Sequence, residues 1–126
     1  MQIVVDIESP TPLFAQLIEQ VKRAVQSGAK KPGDPLPSIR QLANDLNLNN
    51  KTVAKAYRLL ERDSVIQARG YRGTFVHPDA KAASLVDLNE LVTAKLTNTI
   101  AALKESGATD SEIRIAFAAI MNRRES

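Results

Sequence analysis

One segment of the chain carries basic side chains at a spacing that suits the binding of a polyanion. They recur through residues 51–62 and are Lys51, Lys55, Arg58 and Arg62. At about 100° per residue, a helix places them roughly opposite its apolar residues, which are Val53, Ala56, Tyr57 and Leu60. A helix with one buried face and one basic face can lie in the major groove of DNA, where cations near its ends meet phosphates. The pattern predicts such a helix here.

The N-terminal end of this helix has residue types that can read bases. Asn49 and Asn50 carry amides that can form two hydrogen bonds with adenine, and the Lys51 ammonium can reach the acceptors of guanine. The alternative is that the basic face is simply solvated. Only Glu61 and Asp63 offset the six Lys and Arg residues between positions 49 and 76, and this imbalance favours a polyanion partner.

Further basic residues lie on both sides of this helix in the sequence. Arg69 and Arg72 lie at the tip of a predicted hairpin, whose turn is Gly70-Tyr71-Arg72-Gly73. Tyr71 could pack on a sugar or fold back on the domain, and the two roles stay open. Arg40 is predicted in the first turn of a preceding helix, where the helix dipole disfavours a cation. A phosphate partner would explain Arg40, and so would simple exposure.

The elements that must hold these residues are a winged helix-turn-helix. The first helix is predicted to begin with Thr11 as N-cap and to end at Gly28, after an N-terminal strand or arm over residues 3–7. Residues 31–37 predict an irregular connection anchored by Leu36. Ser38 and Gln41 form a capping box for the second helix, and Asn49 can cap the third. The hairpin strands are expected over residues 65–69 and 74–77.

A second region is predicted after Pro78, so the expected domains are residues 1–78 and 79–126. The second region reads as an α-helical hairpin whose second helix starts with a Thr109 and Glu112 capping box. An apolar stripe on its first helix is too long for the short second helix to cover, so we expect it to pair two copies of the chain. The expected dimerisation residues are Leu85, Leu88, Val92, Leu96, Ile100, Leu103, Phe117 and Ile120. The predicted fold class is mainly α with a small β-hairpin.

Composition excludes several other functions. The 126 residues include no cysteine and one histidine, His77, so thiolate metal sites and multi-histidine sites are excluded, and no catalytic or cofactor-binding motif is present. We expect no enzyme activity, no cofactor and no metal. The apolar runs are too short to span a membrane and the start lacks the features of a signal peptide, so the expected compartment is the cytoplasm. Residues 1–78 carry 11 Lys and Arg against 7 Asp and Glu, so the basic excess lies in the first region.

Several motifs resemble the GntR family of bacterial transcriptional regulators. They are residues 12–16 (PLFAQ), 36–43 (LPSIRQLA), 49–61 (NNKTVAKAYRLLE) and 73–76 (GTFV). The short two-helix tail is similar to that of the YtrA-type subfamily, which lacks a large effector-binding domain. Two departures are Ser64, where the family usually has glycine, and a wing with Gly-x-x-Gly, one residue longer than usual.

The resemblance implies a cytoplasmic homodimeric repressor that binds an inverted-repeat operator in double-stranded DNA. It implies DNA contacts from Arg40, from the start of the third helix and from the wing. The full expected set is Ser38, Arg40, Asn49, Asn50, Lys51, Thr52, Lys55, Arg58, Arg62, Arg69, Gly70, Tyr71, Arg72 and Gly73. The alternative function is a winged-helix module that binds protein or RNA. Whether a small-molecule effector exists stays open, because nothing in residues 79–126 marks a polar site.

Overall fold

The computed structural model describes residues 2–84 and 86–123. Within them the chain forms two compact units that meet between Val86 and Asp87. The elements of the first unit are α1 (Leu13–Gln26), β1 (Pro35–Leu36), α2 (Ile39–Leu46), α3 (Asn50–Arg62), β2 (Ile66–Ala68), β3 (Thr74–Val76) and α4 (Ala80–Ala83). Those of the second are α5 (Val86–Glu105), which begins at the boundary, and α6 (Asp110–Met121). The predicted fold class, a winged helix-turn-helix followed by two helices, is confirmed.

The first unit has a complete apolar core. The helix α3 contributes the predicted buried set of Val53, Ala56, Tyr57 and Leu60. Side chains of α1 and the sheet pack against this set, and they include Leu17, Val21, Val25, Leu36, Ile66 and Val76. The helical periodicity of α1 and α3 therefore reflects one shared core.

The sheet has three strands, whereas the sequence predicted a two-stranded hairpin. The additional strand β1 pairs with β3 in antiparallel register, Pro35 opposite Phe75 and Leu36 opposite Thr74. Three prolines in residues 31–37 indicated an irregular connection, and that prediction was wrong at this point. Pro35 has no N–H to donate, but a proline is tolerated because β1 is an edge strand. The predicted hairpin strands are each shorter than expected.

The predicted cap is present in α3 but not in α1, and in α2 only the Ser38 half of the predicted Ser38–Gln41 capping box is formed. The Ser38 hydroxyl accepts a hydrogen bond from the Gln41 N–H at 3.0 Å, and the Asn49 side chain accepts one from the Lys51 N–H at 2.8 Å. The prediction of Thr11 as N-cap was wrong, because α1 begins at Leu13 after Pro12 and has no side-chain cap. The Thr11 carbonyl instead accepts a hydrogen bond from Gln16 at 2.9 Å.

The N-terminal segment is an extended arm held by two glutamines of α1. The Gln20 side chain accepts from the Val4 N–H, and the Gln16 side chain accepts from the Asp6 N–H, both at 2.8 Å. Both side-chain amides also donate to the carbonyl of the same arm residue. Gln16 and Gln20 are one helical turn apart, which is nearly the distance between Val4 and Asp6 in an extended chain. Each amide can therefore bond the backbone N–H and carbonyl of one arm residue, as a neighbouring strand would. The arm needs no strand partner for these bonds.

The first unit continues past the predicted boundary at Pro78. The short helix α4 packs against α1, and Ala80 and Ser84 are fully buried there. The Ser84 hydroxyl donates to the Ala80 carbonyl, so this buried polar group is satisfied. Pro78-Asp79 therefore follows the end of the hairpin but is not the end of the compact unit.

The second unit consists of two well-formed helices that bury almost nothing. The predicted capping box at Thr109 and Glu112 is present, and it lowers the pKa of Glu112 through the hydrogen bond from the Thr109 backbone. A 2.7 Å ion pair with Lys104 lowers the pKa of Asp110. Among the side chains described between residues 90 and 123, none is buried. No helix in the part of the chain described here is long and apolar enough to span a bilayer.

Candidate nucleic-acid interface

The outer face of α3 presents the predicted basic residues to solvent. Lys51, Lys55, Arg58 and Arg62 are all exposed, opposite the buried set. The Arg62 guanidinium also lies 3.4 Å from Asp63, an exposed contact that contributes little to stability. Asn49 and Asn50 are exposed at the N-terminal end, whereas Thr52 is half-buried. The Asn49 side-chain oxygen accepts the capping hydrogen bond of α3, so its amide N–H groups are the donors left for a ligand.

Tyr57 fixes the orientation of α3 from inside the unit. Its hydroxyl donates to the Pro37 carbonyl at 2.6 Å, which joins α3 to the residue before the N-cap of α2. Burial raises the pKa of Tyr57 from 10.0 to about 12. The hydrogen bond to Pro37 holds the start of α2, with Ser38 and Arg40, beside α3.

One concavity of about 560 Å³ runs along the side of α3 that faces the sheet. It brings Arg58 and Arg62 together with Ile39 at the start of α2 and with Ala68 and Thr74 of the sheet. Its other lining residues are Ala54, Tyr57, Glu61 and Ile66. The start of α2, the middle of α3 and the hairpin therefore border one groove.

A second concavity, of about 380 Å³, lies on the other side of α3. Leu13 and Phe14 of α1 form one wall, and Lys51, Thr52 and Lys55 form the other. The Lys55 ammonium lies 4.0 Å from the centre of the Phe14 ring. The basic face of α3 is therefore a ridge with a depression on each side.

The hairpin tip is a single 3-10 turn, Gly70–Arg72, closed by Gly73. The φ angles are 60° at Gly70 and 108° at Gly73, a region that favours glycine. Tyr71 is 95% exposed, so it does not fold back on the domain. Arg69 is exposed but held, because its guanidinium lies 4.9 Å from the Phe75 ring and bonds Gln67 at 3.3 Å.

Sequence reasoning missed the neutral residues that hold the basic side chains in place. Phe14 was interpreted only as part of the α1 core stripe, yet its ring is half-buried and contacts Lys55. Gln67 and Phe75 hold Arg69 in the same way. The sequence pattern does not indicate these contacts, because the residues are distant in the sequence or are brought together by the pairing of two strands. The described residues contain no cluster of His, Cys, Asp or Glu that could hold a metal ion.

The sequence pattern of a family described as "Bacterial regulatory proteins, gntR family" matches residues 13–76. The chain belongs to the GntR family. The matched span runs from the start of α1 to the end of β3 and so includes both concavities beside α3. GntR proteins are transcriptional regulators, which are not enzymes, and two relatives of this chain are named as a transcriptional repressor and a transcriptional regulator.

Individual GntR relatives are similar over most of the chain. The HTH-type transcriptional repressor YtrA of Bacillus subtilis (strain 168) is 40% identical over 103 residues, which are 82% of this chain and 74% of the repressor. The structure of YtrA from Sulfolobus acidocaldarius, a GntR-family transcription factor, has a TM-score of 0.61 and 32% identity. That likeness covers 79% of this chain and 97% of the solved one.

A third likeness shows the fold alone. It is to the structure of AraR(DBD) in complex with operator ORX1, with a TM-score of 0.53 and 21% identity. It covers 60% of this chain and 99% of that one.

Proposed function

We propose that this GntR regulator is a repressor that binds an inverted-repeat operator as a homodimer. One observation carries the DNA-binding part of the proposal: the exposed basic ridge of α3 stands between two concavities. A ridge of this shape enters the major groove, and the phosphate strands on either side of the groove then meet the flanking depressions. The proposed contacts are Ser38, Arg40, Asn49, Asn50, Lys51, Thr52, Lys55, Arg58, Arg62, Arg69, Gly70, Tyr71, Arg72 and Gly73.

The position of each residue along α3 suggests its role. Asn50 and Lys51 stand in the first turn, the part of a recognition helix that approaches base edges, with the Asn49 cap beside them. Arg58 and Arg62 stand two to three turns further on and line the sheet-side concavity, where they would neutralise phosphates. The exposed Tyr71 and Arg72 at the hairpin tip would approach the neighbouring minor groove or its backbone.

The homodimer is proposed from the second unit. Val92, Leu96, Ile100 and Leu103 follow one face of α5 and are between 36% and 52% exposed. On α6, Phe117 is 49% and Ile120 is 58% exposed. A monomer rarely leaves so many large apolar side chains in contact with water, and a second copy presents the same surface. Leu85 and the side chain of Leu88, also expected in this interface, lie outside the described residues.

The relatives support the repressor assignment. The B. subtilis relative, which is 40% identical over 103 residues, is named a repressor. Two recognition helices related by a two-fold axis would read half-sites about one helical turn apart, or a multiple of it.

Selection of bound sites from random duplexes tests the DNA-binding proposal. The full-length chain should enrich a site made of two inverted halves, and its affinity should fall linearly with salt on a log–log plot. Sequence preference should survive an excess of competitor DNA. Enrichment of no sequence, together with tight binding to RNA or to an acidic protein, would support an interaction module in place of an operator-binding repressor.

Equilibrium sedimentation tests the dimer with a matched pair of variants. Leu96→Asp places a charge on the apolar face of α5, whereas Asn98→Asp places one about 160° away on the same helix. We expect the wild-type chain and Asn98→Asp to be dimers at tens of micromolar and Leu96→Asp to be a monomer. A monomeric wild-type chain, or equal behaviour of the two variants, would contradict the proposed interface.

A further inference from the structure

The contact between Phe14 and Lys55 joins the first helix to the basic ridge. Phe14 lies in the first turn of α1, half-buried, and it packs against the core on one side. Its ring faces the Lys55 ammonium, which lies 4.0 Å from the ring centre. Lys55 itself is exposed. The ring therefore contacts one side of the ammonium, and the other side of the ammonium stays open to solvent.

A lysine that binds phosphate normally loses much of its rotamer freedom on binding. An aromatic face attracts an ammonium, but it forms no hydrogen bond with the three N–H donors of that group. The contact therefore limits the positions of the Lys55 side chain without using up its donors. A group that is ordered before binding gives up less entropy when the ligand arrives.

We propose that Phe14 is a positioning residue that holds the Lys55 ammonium ready for a DNA phosphate in the concavity between α1 and α3. The proposal rests on the proposed function and adds to it a neutral residue outside the helix-turn-helix. The position of Lys55 supports it, since Lys55 lines that concavity with Lys51 and Thr52, one turn beyond the residues placed at the bases. The ring thus acts on affinity through another residue's charge.

A double-mutant cycle on the full-length chain tests this role. The measured quantity is the dissociation constant for the duplex selected by the wild-type chain. Phe14→Leu removes the ring but keeps an apolar side chain, and Lys55→Met removes the charge but keeps the length. We expect Phe14→Leu to weaken binding about two- to fivefold, the size of an exposed cation–π contact. In the Lys55→Met background the same change should have almost no effect.

Two further variants separate positioning from packing. Lys51→Met removes a neighbouring charge on the same helix that the ring does not hold, so Phe14→Leu should keep its full effect in that background. Phe14→Tyr keeps the aromatic face and should bind like the wild type. If Phe14→Leu loses helical structure in circular dichroism, Phe14→Met replaces it in the same cycle, since methionine fills irregular apolar space well.

The outcomes distinguish this inference from the proposed function. An equal loss from Phe14→Leu in the wild-type and Lys55→Met backgrounds would assign Phe14 to packing and overturn the positioning role. Tighter binding by Phe14→Leu would mean that the ring holds Lys55 away from DNA, which also overturns it. In both cases the wild-type chain still selects its duplex and the proposed function stands. A wild-type chain that binds no duplex overturns both.

Discussion

The two units of the chain reach stability in different ways. In the first unit, four helices and a sheet enclose side chains such as Leu17, Leu60 and Val76 that are nearly inaccessible to water. In the second unit, α5 and α6 have good local structure, with a capping box and the Lys104–Asp110 ion pair, but no buried side chain among those described. Local propensity and capping shape a helix, whereas burial of an apolar face provides most of its stability in a protein. This difference supports the proposed dimer, in which a second copy of the chain covers the apolar face of α5.

The largest expected effect comes from the same truncation made in each unit. Leu60→Ala removes most of a side chain that is 1% exposed and leaves a cavity in the core. It should lower the free energy of unfolding by about 2–5 kcal/mol at any protein concentration. Leu96→Ala, at a position 38% exposed, should act mainly on association. Chemical denaturation at two protein concentrations about 50-fold apart checks this, with the lower stability of Leu96→Ala expected to depend on concentration. If both variants lose the same unfolding free energy at both protein concentrations, the proposed difference between the two units is wrong.

A second prediction sharpens the division of roles within the first unit. Lys51→Ala should cost about 1–3 kcal/mol of binding free energy, mostly on the selected duplex, because it removes the proposed base contact. Arg62→Ala should weaken all duplexes alike and reduce the salt slope by about one, because it removes a phosphate contact. Anisotropy titrations with the selected and a scrambled duplex measure both. The assignment is wrong if the two variants lower specific and nonspecific binding by the same factor.

A third prediction concerns the buried Tyr57 hydroxyl of the first unit. Tyr57→Phe leaves the Pro37 carbonyl without its partner and should cost about 1 kcal/mol of unfolding free energy near neutral pH. Burial raises the pKa of Tyr57 from 10.0 to about 12, so its contribution is complete below pH 10 and is lost as the pH rises toward 12. The wild-type chain should therefore lose its advantage over Tyr57→Phe in that interval. An advantage that stays constant to pH 12 would contradict the assignment.

The smallest expected effect is at Ser64, which has a φ angle of 63° in the turn after α3. Glycine adopts this conformation without strain, although it loses more freedom on folding, so Ser64→Gly should stabilise the chain by about 0.5 kcal/mol. Asn47, with a φ angle of 55°, is the matched control, because asparagine tolerates this region better than serine. A thermal melt should show a smaller gain, or none, for Asn47→Gly.

The sequence predicted the parts of the fold that depend on periodicity and capping. The buried set of α3, the Asn49 cap and the Thr109 capping box all follow local rules and are confirmed. The strand β1 was missed because Pro35 and Leu36, with Pro32 and Pro37 nearby, form a strand only when β3 is present to pair with them. The helix α4 was missed for a similar reason, since four residues become ordered only by packing on α1.

In the candidate site, too, the features that depend on local spacing could be predicted, and those that depend on tertiary contacts could not. The basic residues and their common face follow from spacing along one helix. The contacts of Phe14 with Lys55 and of Phe75 with Arg69 depend on tertiary structure. The first joins two helices that are distant in the sequence, and the second joins residues on two paired segments of the hairpin. The order and hydrogen bonding of the arm depend likewise on Gln16 and Gln20 meeting it across the surface of α1.

The most direct test of the two-unit account compares DNA binding by the full chain and by residues 1–86, whose core is complete. The measurement is the ratio of affinities for a duplex with two half-sites and a duplex with one. The full chain should prefer two half-sites by about 100-fold or more, because the second unit makes the second contact intramolecular. Residues 1–86 should show only the statistical factor of about two. A truncated chain that keeps the large preference, or a full chain that lacks it, would contradict the account.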